Sequence, residues 1–437
     1  MRLTQPADMT GATVETLRVT RLGGEADGLA AWSDGTAAFI PLSLPGESLR
    51  AEHLARGQGR LVELLEASPH RVAPPCPSFG QCGGCALQQG DDALYGEFKS
   101  NLLLQALRQA GSDAVPAPLR RTPPGARRRL DLALRRTDAG ILLGLHGRAG
   151  APIDLPDCLV AHPDLVALFA PLRVALNSFG GLRRDGAVLL NLLDSGPDIL
   201  LSGDGEPDAG DRRRLADFAR AHGVARIAWA YRGGVAETLV ALRPPRHHFD
   251  GVAVTPPPGA FLQASVQGEA AIRAAVLAGL SEKLPGRARI IELYAGIGTL
   301  TFALAGRASV TAYEGDDVAF ACLRQACGGR AVMPIHRDLA RQPLQVSELN
   351  GAAAVVLDPP FAGAAAQIGP LAASDVARVI LVNCNPAVLP RDLAPLLAAG
   401  FAVTSATPID QFLWSARLES VIVLARAPTR VRKTRMR

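Results

Sequence analysis

From Gly259 onward the sequence repeats helix, apolar strand, tight turn and helix, the pattern of a doubly wound parallel sheet with helices on both faces. The clearest unit is ARIIELYAGIGTLTFALA from Ala288: an apolar run, a turn holding Gly296 and Gly298, then a helix-like stretch. Glycine lets the backbone approach a bound nucleoside where a side chain would clash, and an acidic residue ending the next strand can bind ribose hydroxyls. Glu314 in VTAYEGD stands there, about twenty positions further on. Turn and acid together point to a nucleoside-cofactor site, whereas the lack of G-x-x-x-x-G-K-S/T removes support for a triphosphate-binding loop.

Open α/β sheets bind ligands beyond the carboxyl ends of their strands. Two further apolar runs end in functional groups at that edge: AAAVVLDPPFAG in Asp358-Pro359-Pro360, and RVILVNCNPAVL in Cys384, followed by Asn385 and Pro386. A partly exposed thiolate in such a loop is a nucleophile. One reaction with this need is uracil methylation. Carbon 5 of uracil is too poor a nucleophile to take a methyl group until a thiolate adds at carbon 6, and a base must then remove the carbon 5 proton. Glu419, which begins the last apolar strand in ARLESVIVLAR, is the candidate base. Cys322 and Cys327, in the helix-like stretch after Glu314, read as small core residues.

The N-terminal half reads differently. Thr13 to Glu66 alternates short apolar runs with Gly and Pro turns, predicting a small β-barrel of roughly sixty residues. The proline-bearing SPHRVAPPCPSFG forms a boundary, and Tyr95 to Ala110 has the apolar spacing of an amphipathic helix that stops at Gly111. Between about Pro118 and Pro258 the runs LDLALRR, ILLGLH, AVLLNLL, DILLSG, RIAWAYR and ETLVAL predict a mostly antiparallel α/β layer. CPSFGQCGGC sets Cys76, Cys82 and Cys85 on one Gly-rich loop, and Cys158 in PDCLVAHP offers a fourth ligand. Such thiolates suit zinc or an iron-sulfur cluster, although the second C-x2-C pair usual for structural zinc is missing.

A length of 437 residues implies about two or three domains. A net charge of +5 permits an acidic partner without demanding one. Arginine supplies nearly all the positive charge and clusters at Arg127-Arg128-Arg129, Arg135-Arg136, Arg212-Arg213-Arg214 and Arg430 to Arg437, where planar guanidinium groups suit phosphates and bases. No run of roughly eighteen apolar residues and no secretory leader stand in the sequence, so a soluble, cytoplasmic protein without a membrane partner is expected. Seven cysteines in that setting fit thiol, metal or catalytic use better than disulfides.

Taken together, these motifs resemble the RNA 5-methyluridine methyltransferases that carry an N-terminal TRAM domain and a 4Fe-4S cluster, especially those acting on 23S ribosomal RNA. The resemblance implies a Rossmann-like domain dependent on S-adenosyl-L-methionine, preceded by a TRAM or OB-like β-barrel and a central α+β iron-sulfur domain. By this likeness residues 8–70 form the barrel, 71–255 the central domain with a helix near 93–112 able to pack on the catalytic domain, 256–426 the methyltransferase domain, and 427–437 a basic tail. The implied donor-binding residues are Gln263 in GAFLQAS, Tyr294 and Thr299 on the Gly-rich turn, Glu314, Asp338 and Asp358. The implied nucleophile is Cys384, the base Glu419 in LESV, and the cluster ligands Cys76, Cys82, Cys85 and Cys158. RNA is the implied partner, its uridine drawn out of the stack to expose carbons 5 and 6.

Three positions depart from that family pattern. Thr299 stands where asparagine is frequent, Phe361 follows Asp-Pro-Pro where arginine is usual, and Asn383 replaces the serine before the nucleophile. Alternative readings keep the fold but move the target to transfer RNA, or retain only RNA binding or assembly without catalysis. Intact Cys384, Glu419 and Asp358 argue against the second. A cytosine 5-methyltransferase also uses a cysteine, yet N-C-N-P with a late L-E-S fits the uridine enzymes better.

Overall fold

The computed structural model describes residues 13–148 and 150–426; the expected basic tail at 427–437 and the first residues of the expected barrel, 8–12, lie outside them. The chain divides into two compact units, one running through Lys99 and including Trp414–Ala416, the other formed by Ser100–Leu413 and the residues from Arg417 on.

In the first unit, two three-stranded antiparallel sheets follow the alternation of apolar residues with turns. One orders Val14–Arg18, Ser48–His53 and Gly59–Glu66, the other Arg21–Leu22, Gly28–Ala31 and Ala37–Ile40. Leu17, Val19, Trp32, Ile40 and Leu49 form their shared small core. The cysteine-bearing segment after these sheets is built of turns and bends.

The second unit holds two sheets. Each of the six strand-like runs of the central region forms a strand, in the order Glu237–Ala241, Arg226–Tyr231, Gly196–Gly203, Asp185–Leu193, Arg129–Thr137, Gly140–Gly144. All neighbours are antiparallel except Gly196–Gly203 with Arg226–Tyr231. That parallel pair requires a crossover, supplied by the helix Ala209–His222, which starts on an Asp208 capping box and ends at left-handed Gly223.

The eight-stranded sheet runs Val332–His336, Ser309–Glu314, Arg289–Leu293, Ala354–Leu357, Arg378–Asn383, Glu419–Ala425, Ala402–Asp410, Arg120–Arg121. Its first five strands are parallel and Glu419–Ala425 is antiparallel to both neighbours. The chain winds outward on one side from Arg289–Leu293 and then on the other, so the strand order reverses there and a crevice opens beyond Leu293 and Leu357. Both faces are covered, as the uniformly apolar strands require. On one face the predicted amphipathic helix, observed as Asp92–Gln109, inserts Leu103, Ala106 and Leu107 into the core with Ile291, Leu293 and Val355. Cys322 and Cys327 are buried in the core of the other face. No described helix is long and apolar enough to cross a membrane.

Candidate active site

The donor turn is shaped by backbone geometry. Tyr294 leaves its strand with φ at 64°, a left-handed conformation that costs a non-glycine residue roughly 1 kcal/mol or more. Gly298 has φ at 103°, and a Cβ there would stand 2.5 Å from the Phe302 ring, so only glycine closes this turn. Glu314, at the end of the neighbouring strand, accepts hydrogen bonds from the Gly296 amide (2.6 Å) and from the amides of Gly315 and Asp316. Strand end and glycine turn are thus locked together, with acceptor capacity left on the carboxylate for hydroxyl groups. Thr299 is half-buried on the same turn. Asp338, beyond the next strand, is exposed and accepts from the amides of Ala340 and Arg341. Burial, with the Asp392 and Asp338 charges, pushes the Tyr294 phenol up to about 12, so it acts as a neutral donor.

On the other side of the crevice the two candidate catalytic residues, Cys384 and Glu419, are brought together by strand register. Asn383 pairs with Ser420 across antiparallel strands, so the next residue of one, Cys384, lies beside the preceding residue of the other, Glu419. The Asn383 side chain accepts from the Asn385 amide (2.9 Å), closing a short turn around Cys384. Asn383 thus shapes the turn that carries Cys384. Asn385 in turn donates through Nδ2 to the Phe361 carbonyl (3.1 Å), tying the loop to the segment after Asp358.

A line of side chains joins the candidates. Gln411 donates through Nε2 to Glu419 (2.8 Å) and to the Gln263 carbonyl oxygen Oε1 (2.7 Å), while Gln263 donates through Nε2 to Asp358 (3.2 Å). Three regions of the sequence, around Gln263, Asp358 and Gln411 to Glu419, thus share one polar chain, which fixes both amide orientations. Gln411 has no counterpart in the sequence reading. Its place depends on the register of Ile409 with Glu419, and on Gly268, where a Cβ would meet the Gln411 side chain at 2.7 Å. Arg128 holds Gln263 from behind: Nε donates to the Gln263 carbonyl (3.1 Å), and the guanidinium pairs with Glu269 in the interior. A cleft of about 420 Å³ lined by Arg128, Asp194 and His247 borders this support, and no candidate catalytic residue lines it.

Carboxyl groups are concentrated at this edge, and burial favours their neutral forms. Burial pushes Glu292 up to about 8, helped by the charges of Asp358 and Glu314, and leaves its Oε2 without a hydrogen-bond partner. Burial likewise raises Asp358 to about 7 and lifts Glu419, only 3% exposed, well above the usual carboxylate range with help from Asp358. Glu419 Oε1 has no hydrogen-bond partner, leaving one oxygen available for proton transfer. The Cys384 thiol is pushed up to about 12 by burial and by the Glu419 and Asp358 charges, with Arg417 acting in the opposite sense.

The remaining four candidates are the cysteines Cys76, Cys82, Cys85 and Cys158. Cys76, Cys82 and Cys85 belong to the first unit and Cys158 to the second. The donor chemistry suits an iron-sulfur cluster, but among the described residues no group of three or more His, Cys, Asp or Glu side chains is close enough together to hold a metal ion.

Comparison with known proteins gives this geometry a family. An uncharacterized RNA methyltransferase from Rhizobium meliloti is 38% identical over 420 residues, covering 94% of this chain and 99% of the relative. A 23S rRNA (uracil(1939)-C(5))-methyltransferase, RlmD, from Chromohalobacter salexigens is 33% identical over 443 residues, covering 97% of this chain and 92% of the relative. The chain belongs to the RNA methyltransferase family. It is an enzyme of that class. The fold matches a Pyrococcus abyssi tRNA (uracil-54, C5)-methyltransferase solved with S-adenosyl-L-homocysteine, at TM-score 0.71 and 19% identity over 95% of this chain and all of the other. No family model matches the sequence.

Proposed function

We propose that this methyltransferase transfers a methyl group from S-adenosyl-L-methionine to carbon 5 of a uridine in 23S ribosomal RNA, through a covalent adduct of Cys384 at carbon 6. The observation that carries the reading is the side-by-side placement of Cys384 and Glu419 at adjacent strand ends, with Glu419 joined through Gln411 and Gln263 to Asp358. The relative named for uracil 1939 of 23S rRNA supports the target.

S-adenosyl-L-methionine supplies an electrophilic methyl on a sulfonium. Glu314 is suited to its ribose, Gln263, Tyr294, Thr299 and Asp358 to the rest of the donor, and Asp338 to a contact near the adenine. The gathered carboxyls favour a cationic ligand, because a positive charge lowers the cost of ionising Glu292 and Asp358. Cys384 attacks carbon 6 as a thiolate, and its electron pair displaces the ring double bond toward carbon 5 and the carbon 4 oxygen. Carbon 5 then takes the methyl group, the bond from that methyl to sulfur breaking to leave S-adenosyl-L-homocysteine as a neutral thioether, and keeps its proton. Glu419, ionised at this stage, removes that proton through its free Oε1, and the released electron pair reforms the ring double bond and expels Cys384. The Gln411 amide holds the other oxygen, Oε2, in place.

We further propose that residues 8–70 act as a TRAM barrel on RNA, residues 71–255 as the central domain and 256–426 as the catalytic domain. In this reading Cys76, Cys82, Cys85 and Cys158 carry a 4Fe-4S cluster that organises the protein and takes no part in methyl transfer. The spacing of three thiols on one Gly-rich loop supports the cluster. Incubating the anaerobically purified protein with labelled S-adenosyl-L-methionine and unmodified ribosomal or transfer RNA, then identifying the labelled nucleoside, tests the whole reading. Labelled 5-methyluridine in 23S rRNA is expected; a label on transfer RNA moves the target, and a different nucleoside overturns the reaction.

A further inference from the structure

The mechanism leaves one electrostatic gap. Cys384 must ionise, yet it is half-buried beside two carboxyl groups, Glu419 at the start of the neighbouring strand and Asp358 in the loop beyond Leu357. An anion in such a place needs a cation. Arg417 provides one. It lies two residues before Glu419, is itself exposed, and is followed by the fully buried Leu418, which anchors the segment in the core. Its guanidinium sits over the Phe361 ring, 5.0 Å from the centroid. Phe361 is 51% exposed, unusual for so large an apolar side chain, and its carbonyl is held by Asn385, the residue next to the nucleophile. A planar guanidinium on an aromatic face stays charged while its position is fixed, which a flexible lysine achieves less well.

We propose that Arg417, seated on Phe361, is the positioning residue whose positive charge favours ionisation of Cys384 to the thiolate that attacks the substrate. The groups set around Cys384 are then two acids, Asp358 and Glu419, and one base, Arg417. The thiol proton leaves to solvent, and no other reactant is required. This inference deepens the reading of Cys384 as nucleophile and concerns how that thiol is charged.

The test measures the rate at which iodoacetamide alkylates Cys384, followed by peptide mass spectrometry across a range of pH, in the full-length protein and in Arg417→Gln, Arg417→Lys and Phe361→Leu. Alkylation consumes the thiolate, releases iodide, and needs neither RNA nor methyl donor, so its outcome is independent of which nucleoside is methylated. Loss of the cation should slow alkylation of Arg417→Gln about tenfold at pH 8 and move its profile to higher pH. Arg417→Lys should keep the rate within about threefold, and Phe361→Leu should fall between the two. Rescue by lysine distinguishes charge from a structural role, and S-adenosyl-L-homocysteine binding by each variant verifies the fold. Profiles of Arg417→Gln and Phe361→Leu that superimpose on the parent's overturn the proposal.

Discussion

The catalytic edge and the cysteine loop invert each other. At the edge, Gln263, Asp358 and the neighbouring Gln411 and Glu419 come from three regions well separated in sequence, and the fold joins them by hydrogen bonds of 2.7 to 3.2 Å. In the loop, three thiols fall within ten residues, yet no metal-binding group is assembled among the described residues. The difference is physical. Amides and carboxyls satisfy one another as the sheet forms, so the edge is organised by folding alone. Thiolates repel one another, and a thiolate cluster gains its geometry from the metal that binds it.

That contrast can be broken at either end. The largest effect is expected at the nucleophile: Cys384→Ala should lower methylation by about a thousandfold or more, with donor binding retained, because no neighbouring group can replace the sulfur. Single-turnover kinetics with labelled donor measure it. Next is the bridge. Gln411→Ala strips the hydrogen bonds from Glu419 and Gln263 and should cost about 1–3 kcal/mol, or roughly five- to 150-fold in kcat/KM. An effect below about twofold would mean that the polar chain does not organise catalysis.

At the cysteine loop the expected change is in composition and less in rate. Protein purified anaerobically should contain iron and sulfide, and Cys85→Ser should lose both while methylation of a short RNA falls by less than about tenfold. A collapse of methyl transfer as deep as that of Cys384→Ala would make the cluster part of the chemistry. The smallest effect concerns Glu292, raised from an ordinary 4.5 to about 8. A carboxyl raised on folding contributes stability that is complete below its ordinary value and lost as pH rises toward the raised one. Glu292→Gln removes this loss, so its melting temperature relative to the parent should climb between about pH 4.5 and pH 8 and level off above.

Much of this architecture was legible in the sequence because it depends on local pattern. Buried parallel strands must be apolar, and a turn such as that at Gly298 admits only glycine, so both leave direct marks. The six central strands were visible for the same reason, as was the helix Asp92–Gln109. Cys384 and Glu419 were recognisable as strand-end residues, but their adjacency was not, because it follows from one strand running antiparallel in an otherwise parallel run and from the register of Asn383 with Ser420. Gln411 left no mark at all: a glutamine beside a strand end gains meaning only from Gln263 and Glu419 on other segments. The Phe361 substitution was visible as a departure, while its partner Arg417, fifty-six positions later, was not.

The most direct test of the central claim is to mix the protein with S-adenosyl-L-methionine and a ribosomal RNA fragment carrying 5-fluorouridine, then digest the mixture and locate the RNA on the protein by mass spectrometry. Fluorine at carbon 5 cannot be removed as a proton, so the reaction should stop after methyl transfer with the methylated, fluorinated nucleotide bound to Cys384. Methylation of ordinary RNA without any donor-dependent adduct on Cys384, or with the adduct on another residue, would contradict the account.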